Sequence, residues 1–283
     1  QQPPTPALVL DVPKLDMFVT RFEDALAEGW PNSILSYSFK TNALPWLLSY
    51  MRDRGVWAEV VSDTEYELAL ALGYAPDEIV FNGPIKSRAR LWAALVQGSV
   101  VNLDSKREVF WTAELARQLP ETTLAVGLRV NWDVNIYCPG ESTSTAPDSR
   151  FGFNPASGEL DDAIATLTDA GVRIAGLHMH RNSQTQTVDV FRAAATVAKE
   201  LIISRGLTLD WVDIGGGFFG IEHGHPTFAD YVTVIREVLE DVVDPAETQL
   251  IVEPGGALIA VPVEFHATVT DVIDESMWQE VFD

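Results

Sequence analysis

Residues 34–42 read Ile-Leu-Ser-Tyr-Ser-Phe-Lys-Thr-Asn, a strand-like run that ends at a lysine. Ile34–Ser38 has the length and composition of a short buried β-strand, and Lys40 follows it closely. If this strand belongs to a parallel barrel, a lysine at its carboxyl end points into the face at which such barrels carry out chemistry. A strand-end lysine is also compatible with a solvated loop, so its role depends on the ends of the other strands.

Similar runs recur along the chain, and segments with helical spacing of apolar residues separate them. The strand candidates are Ile34–Ser38, Trp57–Val61, Ile79–Phe81, Val100–Leu103, Thr123–Val130, Ile174–His178, Leu209–Ile214 and Gln249–Val252. The helical candidates are Trp46–Arg52, Thr64–Leu72, Arg88–Val96, Lys106–Gln118, Leu160–Ala170, Val188–Ser204 and Tyr231–Leu239. Strands that alternate with helices favour parallel βαβ units and the α/β class. Each strand but the last is followed by a helix, which predicts a (β/α)8 barrel; a doubly wound open sheet is the alternative.

The two ends of the chain fall outside this alternation. Ala7–Leu10 is strand-like, and Val261–Thr270 alternates apolar and polar residues as a long strand does. We therefore expect residues 1–11 to form the N-terminal strand of a β-rich domain, residues 12–260 to form the barrel, and residues 261–283 to begin the rest of that domain. One or two strands are marginal by themselves, which indicates a partner sheet from elsewhere or an incomplete record.

Composition excludes several classes of function. The chain has 283 residues, enough for a single large barrel, and its net charge of -22 disfavours nucleic acid as a partner. It contains no apolar run of about 18 residues, so no membrane span is predicted. Its start does not resemble a signal peptide. A single cysteine, Cys138, rules out a disulfide within the chain and indicates a reducing compartment such as the cytoplasm.

A glycine-rich turn, Gly215–Gly217, follows the seventh strand candidate directly. Glycines remove side chains where a backbone approaches a partner closely, and their N–H groups can bind an anion. The same residues are compatible with a flexible turn. They fit neither the dinucleotide-binding fingerprint nor a Walker A loop.

Histidines offer little support for a metal site. We expect His178 and His180 to alternate on one strand, with one ring in the barrel interior and the other towards the helices, which is poor geometry for a metal pair. His223 and His225 flank a glycine in a loop, but no Cys or Asp cluster completes a ligand set. We therefore predict no metal.

The order of these segments resembles the fold-type III pyridoxal-phosphate enzymes, within them the diaminopimelate, ornithine and arginine decarboxylase group. Nearly the whole chain is covered, and the endings of two motifs look most similar to the diaminopimelate branch. The matching stretches are Ser36–Asn42, Val60–Glu65, Phe81–Lys86, Gly127–Asn131, Ser149–Gly152, Gly176–Gln184, Asp213–Phe218 and Glu253–Gly256.

This resemblance implies pyridoxal 5'-phosphate as the cofactor and release of CO2 from the α-carboxylate of an amino acid. Lys40 would form the Schiff base, since a carbonyl cofactor needs an amine nucleophile. Glu65 would face the pyridine nitrogen and strengthen the electron sink, and His180 would stack on the ring. Arg129 would approach the ring oxygen of the cofactor, and Glu253 would lie near the pyridine or the phosphate. The phosphate would be held by Ser183, Gly215, Gly216 and Gly217, with Gly255 and Gly256 beside them.

Two of these residues also have structural interpretations. Arg129 is compatible with an ion pair to barrel acids, and Glu253 with a buried partner of that arginine. The connection from Asn131 to Ser149, rich in Pro, Gly, Ser and Thr, is either a substrate lid over the barrel mouth or a disordered insertion.

The chain departs from the family pattern at several positions. Glu59 stands where the family has Asp, Asn182 where it has Gly, and Gly256 where it has an Arg that contacts phosphate or a substrate carboxylate. The late Cys and Tyr motifs, which complete the site across a dimer interface, are absent. We therefore expect a homodimer with shared sites and a substrate whose distal end is basic or neutral. A non-catalytic cofactor-binding protein and a racemase are the alternatives.

Overall fold

The computed structural model describes residues 4–143, 149–220, 223 and 226–271. Eight parallel strands form a closed barrel, in the order of the chain. This confirms the predicted (β/α)8 barrel of the α/β class and excludes the open sheet. The barrel strands are β2 (Ser33–Ser38), β3 (Trp57–Val60), β4 (Ile79–Phe81), β5 (Val100–Leu103), β6 (Ala125–Arg129), β7 (Arg173–His178), β8 (Trp211–Gly215) and β9 (Gln249–Val252).

Helices surround the barrel and connect its strands. They are α1 (Val12–Gly29), α2 (Pro45–Asp53), α3 (Asp63–Ala71), α4 (Arg88–Val96), α5 (Lys106–Gln118), α6 (Val134–Tyr137), α7 (Glu159–Asp169), α8 (Val188–Arg205), α9 (Phe228–Leu239) and α10 (Gly256–Ile259). Serine side chains begin three consecutive helices: those of Ser62, Ser87 and Ser105 accept a backbone N–H from the first turns of α3, α4 and α5. Such caps satisfy helix donors that have no partner within the helix.

The eighth helix around the barrel is α1, which precedes the first barrel strand, β2. β9 is followed only by the short α10, whereas α1 packs against α9 through the stacked rings of Phe22 and Phe228, whose centroids are 4.3 Å apart. Asp11 caps the start of α1 by accepting the N–H of Lys14. α1 therefore closes the helical layer next to β2, a role that the strand-then-helix pattern did not predict.

Five barrel strands contribute to one apolar cluster, which consists of Ile34, Val80, Ala175, Trp211 and Ile251. Trp211 requires glycine opposite it, because a Cβ on Gly176 would lie 2.0 Å from the indole Nε1. That indole N–H donates to Asn102 Oδ1 over 3.3 Å. The apolar cluster thus adjoins the buried polar residues that point towards the mouth of the barrel.

A two-stranded sheet lies outside the closed barrel. β1 (Ala7–Leu10) pairs antiparallel with β10 (Val263–His266). β10 ends earlier than the predicted strand, because β1 offers partners for only four residues. Leu8 and Phe265 lie opposite each other and are largely exposed. Within the part of the chain that is described, no helix is long and apolar enough to cross a membrane.

Candidate active site

Lys40 lies at the mouth of the barrel, in the turn of 3-10 helix (Phe39–Thr41) that follows β2. Its Nζ is 3.1 Å from Oε2 of Glu59, a buried carboxylate on β3, while the lysine side chain is 46% exposed. Ser38 Oγ donates to the same oxygen over 2.6 Å. Burial acts to lower the pKa of Lys40, but the charges of Glu59 and Glu253 outweigh it and the net shift is upward. Lys40 is therefore a reachable side chain whose protonated form the neighbouring carboxylates stabilise.

Below Lys40, buried polar side chains from five strands form a continuous network. The side-chain amide nitrogen of Asn82 donates to Glu59 Oε1 and to Glu253 Oε1. Asn102 donates to Asn82 Oδ1 over 2.9 Å and to Asp213 Oδ2 over 2.7 Å. Because a buried polar group without a partner is costly, this network fixes the side chains in a single arrangement.

Asp213 and Glu253 are neighbouring buried carboxyl groups, and a charge on both at once is unfavourable. Burial raises the pKa of Asp213 well above its ordinary value, and the nearby charge and hydrogen bond of Glu253 raise it further. Asp213 also accepts the N–H of Gly215 over 2.9 Å. Asp213 is therefore hard to ionise, since two carboxylates in one buried site do not readily become charged together.

His180 follows β7 and lines the cavity at the barrel mouth. Its Nδ1 accepts the backbone N–H of Gly216 over 3.0 Å, which places the ring proton on Nε2. Burial, with the positive charges of Arg129 and Lys40, lowers its pKa to about 3. The His180 imidazole is therefore uncharged at neutral pH, and its hydrogen bond with Gly216 fixes the orientation of the ring.

The expected orientation of the two histidines was wrong. The rings of His178 and His180 stack with centroids 6.2 Å apart, so they lie on the same side of the chain. A strand has a period of two, so residues two apart share a face. His178 is buried, with Nε2 3.6 Å from Glu253 Oε2, and neither ring nitrogen has a hydrogen-bond partner. Burial lowers its pKa well below the ordinary value.

This orientation also brings together a set of potential metal ligands that the sequence did not indicate. One atom from each of His178, Asp213 and Glu253 lies within 4.8 Å of the others, and all three residues are buried. Of the loop histidines, His223 is exposed and His225 lies outside the described residues.

Arg129 is held at the end of β6 by an acid that the sequence analysis did not select. Its guanidinium donates to Asp104 Oδ2 over 2.9 Å, and Asp104 Oδ1 accepts the N–H of Gly152 over 2.9 Å. The guanidinium also lies 4.6 Å from the centre of the Phe151 ring. The ion pair expected for Arg129 is thus present, and the side chain still lines the cavity.

Glu65 lies at the start of α3 and forms none of the hydrogen bonds of the buried network described above. Its Oε2 accepts the backbone N–H of Val61 over 2.7 Å, and its own N–H binds the Ser62 cap of α3. Burial raises its pKa. The carboxylate therefore closes the first turn of a helix, whereas Glu253 lies in the barrel network with Asn82 and His178.

The glycines at the ends of β8 and β9 fall into two groups. A Cβ on Gly215, Gly216 or Gly255 would lie 2.4 Å or less from His180, the Glu253 carbonyl oxygen or Thr41, respectively. By contrast, a Cβ on Gly217 would meet only a carbonyl oxygen at 3.8 Å, and one on Gly256 would meet nothing within 4 Å. The first group packs the turn against the site, and the second faces open space.

Ser183 has a local role in the same region, because its Oγ accepts the N–H of Gln186 over 3.0 Å. Ser142 forms an isolated bridge with Ser183, which ties the long connection after β6 to the turn after β7. That connection contains α6, and its described ends border the mouth of the barrel.

A cavity of about 560 Å³ opens above Lys40, a volume within the usual range for small-ligand sites. Its lining is Lys40, Val61, Gly83, Pro84, Arg129, Val134, Ser142, Thr143, Ser149, Arg150, Phe151, His180, Arg181 and Asn182. Lys40, Arg129 and His180 thus meet in one place, as expected. An amine beside a carboxylate, a neutral ring and an open glycine turn suit a flat carbonyl cofactor with an anionic group.

Residues 15–260 match the family described as pyridoxal-dependent decarboxylase, pyridoxal binding domain. The chain belongs to this family. A probable chloroplastic diaminopimelate decarboxylase of rice (Oryza sativa subsp. japonica) is 32% identical over 277 residues, which are 95% of this chain and 55% of that protein. The diaminopimelate decarboxylase of Aquifex aeolicus is 26% identical over 84% of this chain and 57% of that protein.

Solved structures agree with this family membership. Diaminopimelate decarboxylase of M. jannaschii, in complex with L-lysine, is 25% identical, with a TM-score of 0.78 over 92% of this chain and 62% of that one. The Helicobacter pylori enzyme complexed with L-lysine has a TM-score of 0.77 at 22% identity, over 94% of this chain and 67% of that one. The chain spans little more than half the length of the curated relatives that it matches.

Proposed function

We propose that the protein is a cytoplasmic pyridoxal-phosphate-dependent amino-acid decarboxylase in which Lys40 holds the cofactor. The observation that carries this proposal is the position of Lys40 Nζ, which faces the cavity and lies 3.1 Å from the buried carboxylate of Glu59. A lysine forms a Schiff base with a carbonyl through its side-chain nitrogen, and Glu59 holds that nitrogen at the cavity. Membership of the pyridoxal-binding family supports the same assignment.

When bound, the cofactor supplies an electron sink for the bond between Cα and the α-carboxylate. We assign the pyridine nitrogen to Glu253 instead of Glu65. Glu253 lies in the barrel network beside Asn82 and His178, whereas the Glu65 carboxylate binds the Val61 N–H. A charged carboxylate at this position keeps a proton on the ring nitrogen.

The remaining residues bind and orient. We propose that His180 covers one face of the cofactor ring, because its neutral imidazole is held flat by the Gly216 N–H. Gly217 and Gly256, which face open space, receive the phosphate together with Ser183 and the packed glycines Gly215, Gly216 and Gly255. Arg129, fixed by Asp104, lines the same cavity as Lys40 and would contact the bound cofactor.

Borohydride reduction tests the assignment of Lys40. We expect the pyridoxal-phosphate-loaded protein to be yellow, and peptide mapping after reduction to find the label on Lys40. Lys40→Ala should lose the absorption band and keep its fold, because a half-exposed side chain at the mouth contributes little packing. Lys106→Ala, at a lysine that is 72% exposed on α5, is the matched control and should label normally.

A label on another lysine would refute the assignment. The decarboxylation itself requires a separate measurement, the release of CO2 from a panel of amino acids. A protein labelled on Lys40 that releases no CO2 from any of them would instead be the non-catalytic cofactor-binding protein.

We also propose that two copies associate across the barrel mouth. Large apolar side chains surround the mouth on segments that follow β2, β4 and β6: Leu44, Trp46, Ile85 and Ile136 are 53%, 50%, 71% and 72% exposed. Exposed apolar groups clustered around a functional opening are typical of an interface. A partner at this surface would complete the walls of the site.

A further inference from the structure

Lys86 and Glu108 form a fully buried ion pair to which the proposed function gives no role. Both side chains are 0% exposed, and Lys86 Nζ lies 3.1 Å from Glu108 Oε2. Lys86 follows β4 in the turn that leads to α4, and Glu108 lies in the first turn of α5. A buried ion pair loses the hydration of both charges, so it often contributes no more to stability than apolar residues of the same size. Stability alone therefore does not account for this pair.

The Lys86 nitrogen joins three segments of the chain. Besides Glu108, it donates to the carbonyl oxygens of Gly83 over 2.7 Å and of Asn102 over 3.0 Å. Three acceptors require three N–H groups, so this geometry needs the charged form, although burial lowers the pKa of the amine. Gly83 lines the cavity above Lys40. Lys86 thus holds one wall of the cavity against β5 and α5.

Glu108 extends the same set of contacts to the cation of the cavity. Its Oε2 also accepts the backbone N–H of Asp104 over 2.9 Å. The Asp104 carboxylate binds the Arg129 guanidinium with one oxygen and the Gly152 N–H with the other, each over 2.9 Å. Glu108 therefore fixes the backbone of the residue whose side chain orients Arg129.

The Glu108 carboxylate is not arranged for the largest number of hydrogen bonds. Oε2 has both of the contacts described above, whereas the buried Oε1 has no hydrogen-bond partner in the described part of the chain. A buried acceptor without a partner reduces stability. This arrangement favours the direction of two contacts over the stability of the pair.

We propose that Lys86 and Glu108 are positioning residues for the cofactor site. Lys86 holds the cavity wall at Gly83. Glu108 holds Asp104, and thereby the guanidinium of Arg129. Neither residue of the pair belongs to the described lining of the cavity, so an effect on binding must pass through these neighbours. The inference rests on the proposed function, because it assigns the pair a role in binding the cofactor of that function.

Replacement of the whole pair by apolar residues separates positioning from stability. Lys86→Met combined with Glu108→Leu leaves no unpaired buried charge, so the midpoint of urea unfolding should be unchanged or higher. Pyridoxal-phosphate titration, followed by absorption, should nevertheless show binding weakened by about tenfold or more. Arg192→Met with Glu237→Leu removes an exposed ion pair of the outer helices, and this control should leave the affinity unchanged.

Arg129→Met shows whether the pair acts through the arginine. It should weaken cofactor binding by about tenfold in the unaltered protein but by less than about threefold in the double variant, where the guanidinium is already displaced. Glu108→Gln keeps an oxygen for the Asp104 N–H, so it should bind the cofactor within about threefold of the unaltered protein. Additive losses, or a Glu108→Gln variant as weak as the double variant, would overturn the inference.

Amide hydrogen exchange of the cofactor-free protein tests the positioning by itself. The Gly152 N–H donates to Asp104 and to neither substituted residue, yet it should exchange about tenfold faster in the double variant at equal global stability. Unchanged exchange at Gly152 with unchanged affinity would overturn the inference, as would a double variant that does not fold, because the pair would then be structural. Faster exchange in a protein that binds no pyridoxal phosphate even when unaltered would refute the proposed function and leave the positioning standing.

Discussion

At the scale of single residues, His178 should control part of the acid sensitivity of the fold. Burial lowers its pKa in the folded protein well below the ordinary value of 6.5, so only the unfolded chain takes up a proton as the pH falls through that value. The stability linked to neutral His178 is therefore complete above about pH 6.5 and is lost on acidification, by about 1.4 kcal/mol per pH unit. His180, with a pKa of about 3, acts in the same direction.

His178→Gln should remove one of these two contributions. We expect the difference in unfolding free energy between the unaltered protein and the variant to shrink by up to about 1.4 kcal/mol per pH unit between pH 6 and pH 4.5, measured by urea denaturation. The exposed His223→Gln is the control, and an equal response of the two variants would contradict the prediction.

Only some residues of the site could be identified from the sequence. Lys40, Arg129 and His180 were identifiable because each lies at or just beyond the end of a recognisable strand. The partners that fix the site were not: Asn102 binds Asp213 across 111 positions of the chain, and Asn82 binds Glu253 across 171. No local pattern encodes such a pairing, which arises only when the barrel closes.

At the scale of secondary structure elements, the two glycine positions after β8 and β9 should respond differently to the same change. Gly216→Ala would place a Cβ 2.4 Å from the backbone oxygen of Glu253, which can move only if β9 shifts. We expect a loss of about 1–3 kcal/mol and weaker cofactor retention. Gly256→Ala meets nothing within 4 Å and begins α10, so it should be neutral or stabilise by up to about 1 kcal/mol.

Thermal unfolding and pyridoxal-phosphate titration of the two variants check this contrast. An equal loss of stability in the two variants would contradict the prediction, because it would mean that other atoms pack around Gly256. The strands that precede these glycines were predictable, because β9 has the bounds that its apolar run indicated and β8 overlaps the predicted Leu209–Ile214. The position of α1 as the eighth helix was not, since it depends on packing against α9 and not on chain order.

At the scale of the whole molecule, the apolar rim of the barrel mouth is the surface on which association should depend. Trp46 stacks on Tyr50 at a centroid distance of 5.5 Å and remains 50% exposed, and Ile85 is 71% exposed. Large side chains near the centre of an interface contribute most of its binding energy. Trp46→Ser combined with Ile85→Ser should therefore raise the dimer dissociation constant by about thirtyfold or more, measured by sedimentation.

A second exposed apolar side chain, far from the mouth, serves as the control for the mouth variant. Phe110 is 61% exposed on α5, on the outer layer of the barrel, so Phe110→Ser removes similar area far from the mouth. It should leave the sedimentation behaviour unchanged. Because partially exposed side chains contribute little packing, neither variant should lose more than about 1 kcal/mol of monomer stability. A dimer weakened by Phe110→Ser but not by the mouth variant would place the interface on the helical layer, and the cavity above Lys40 would then be complete within one chain.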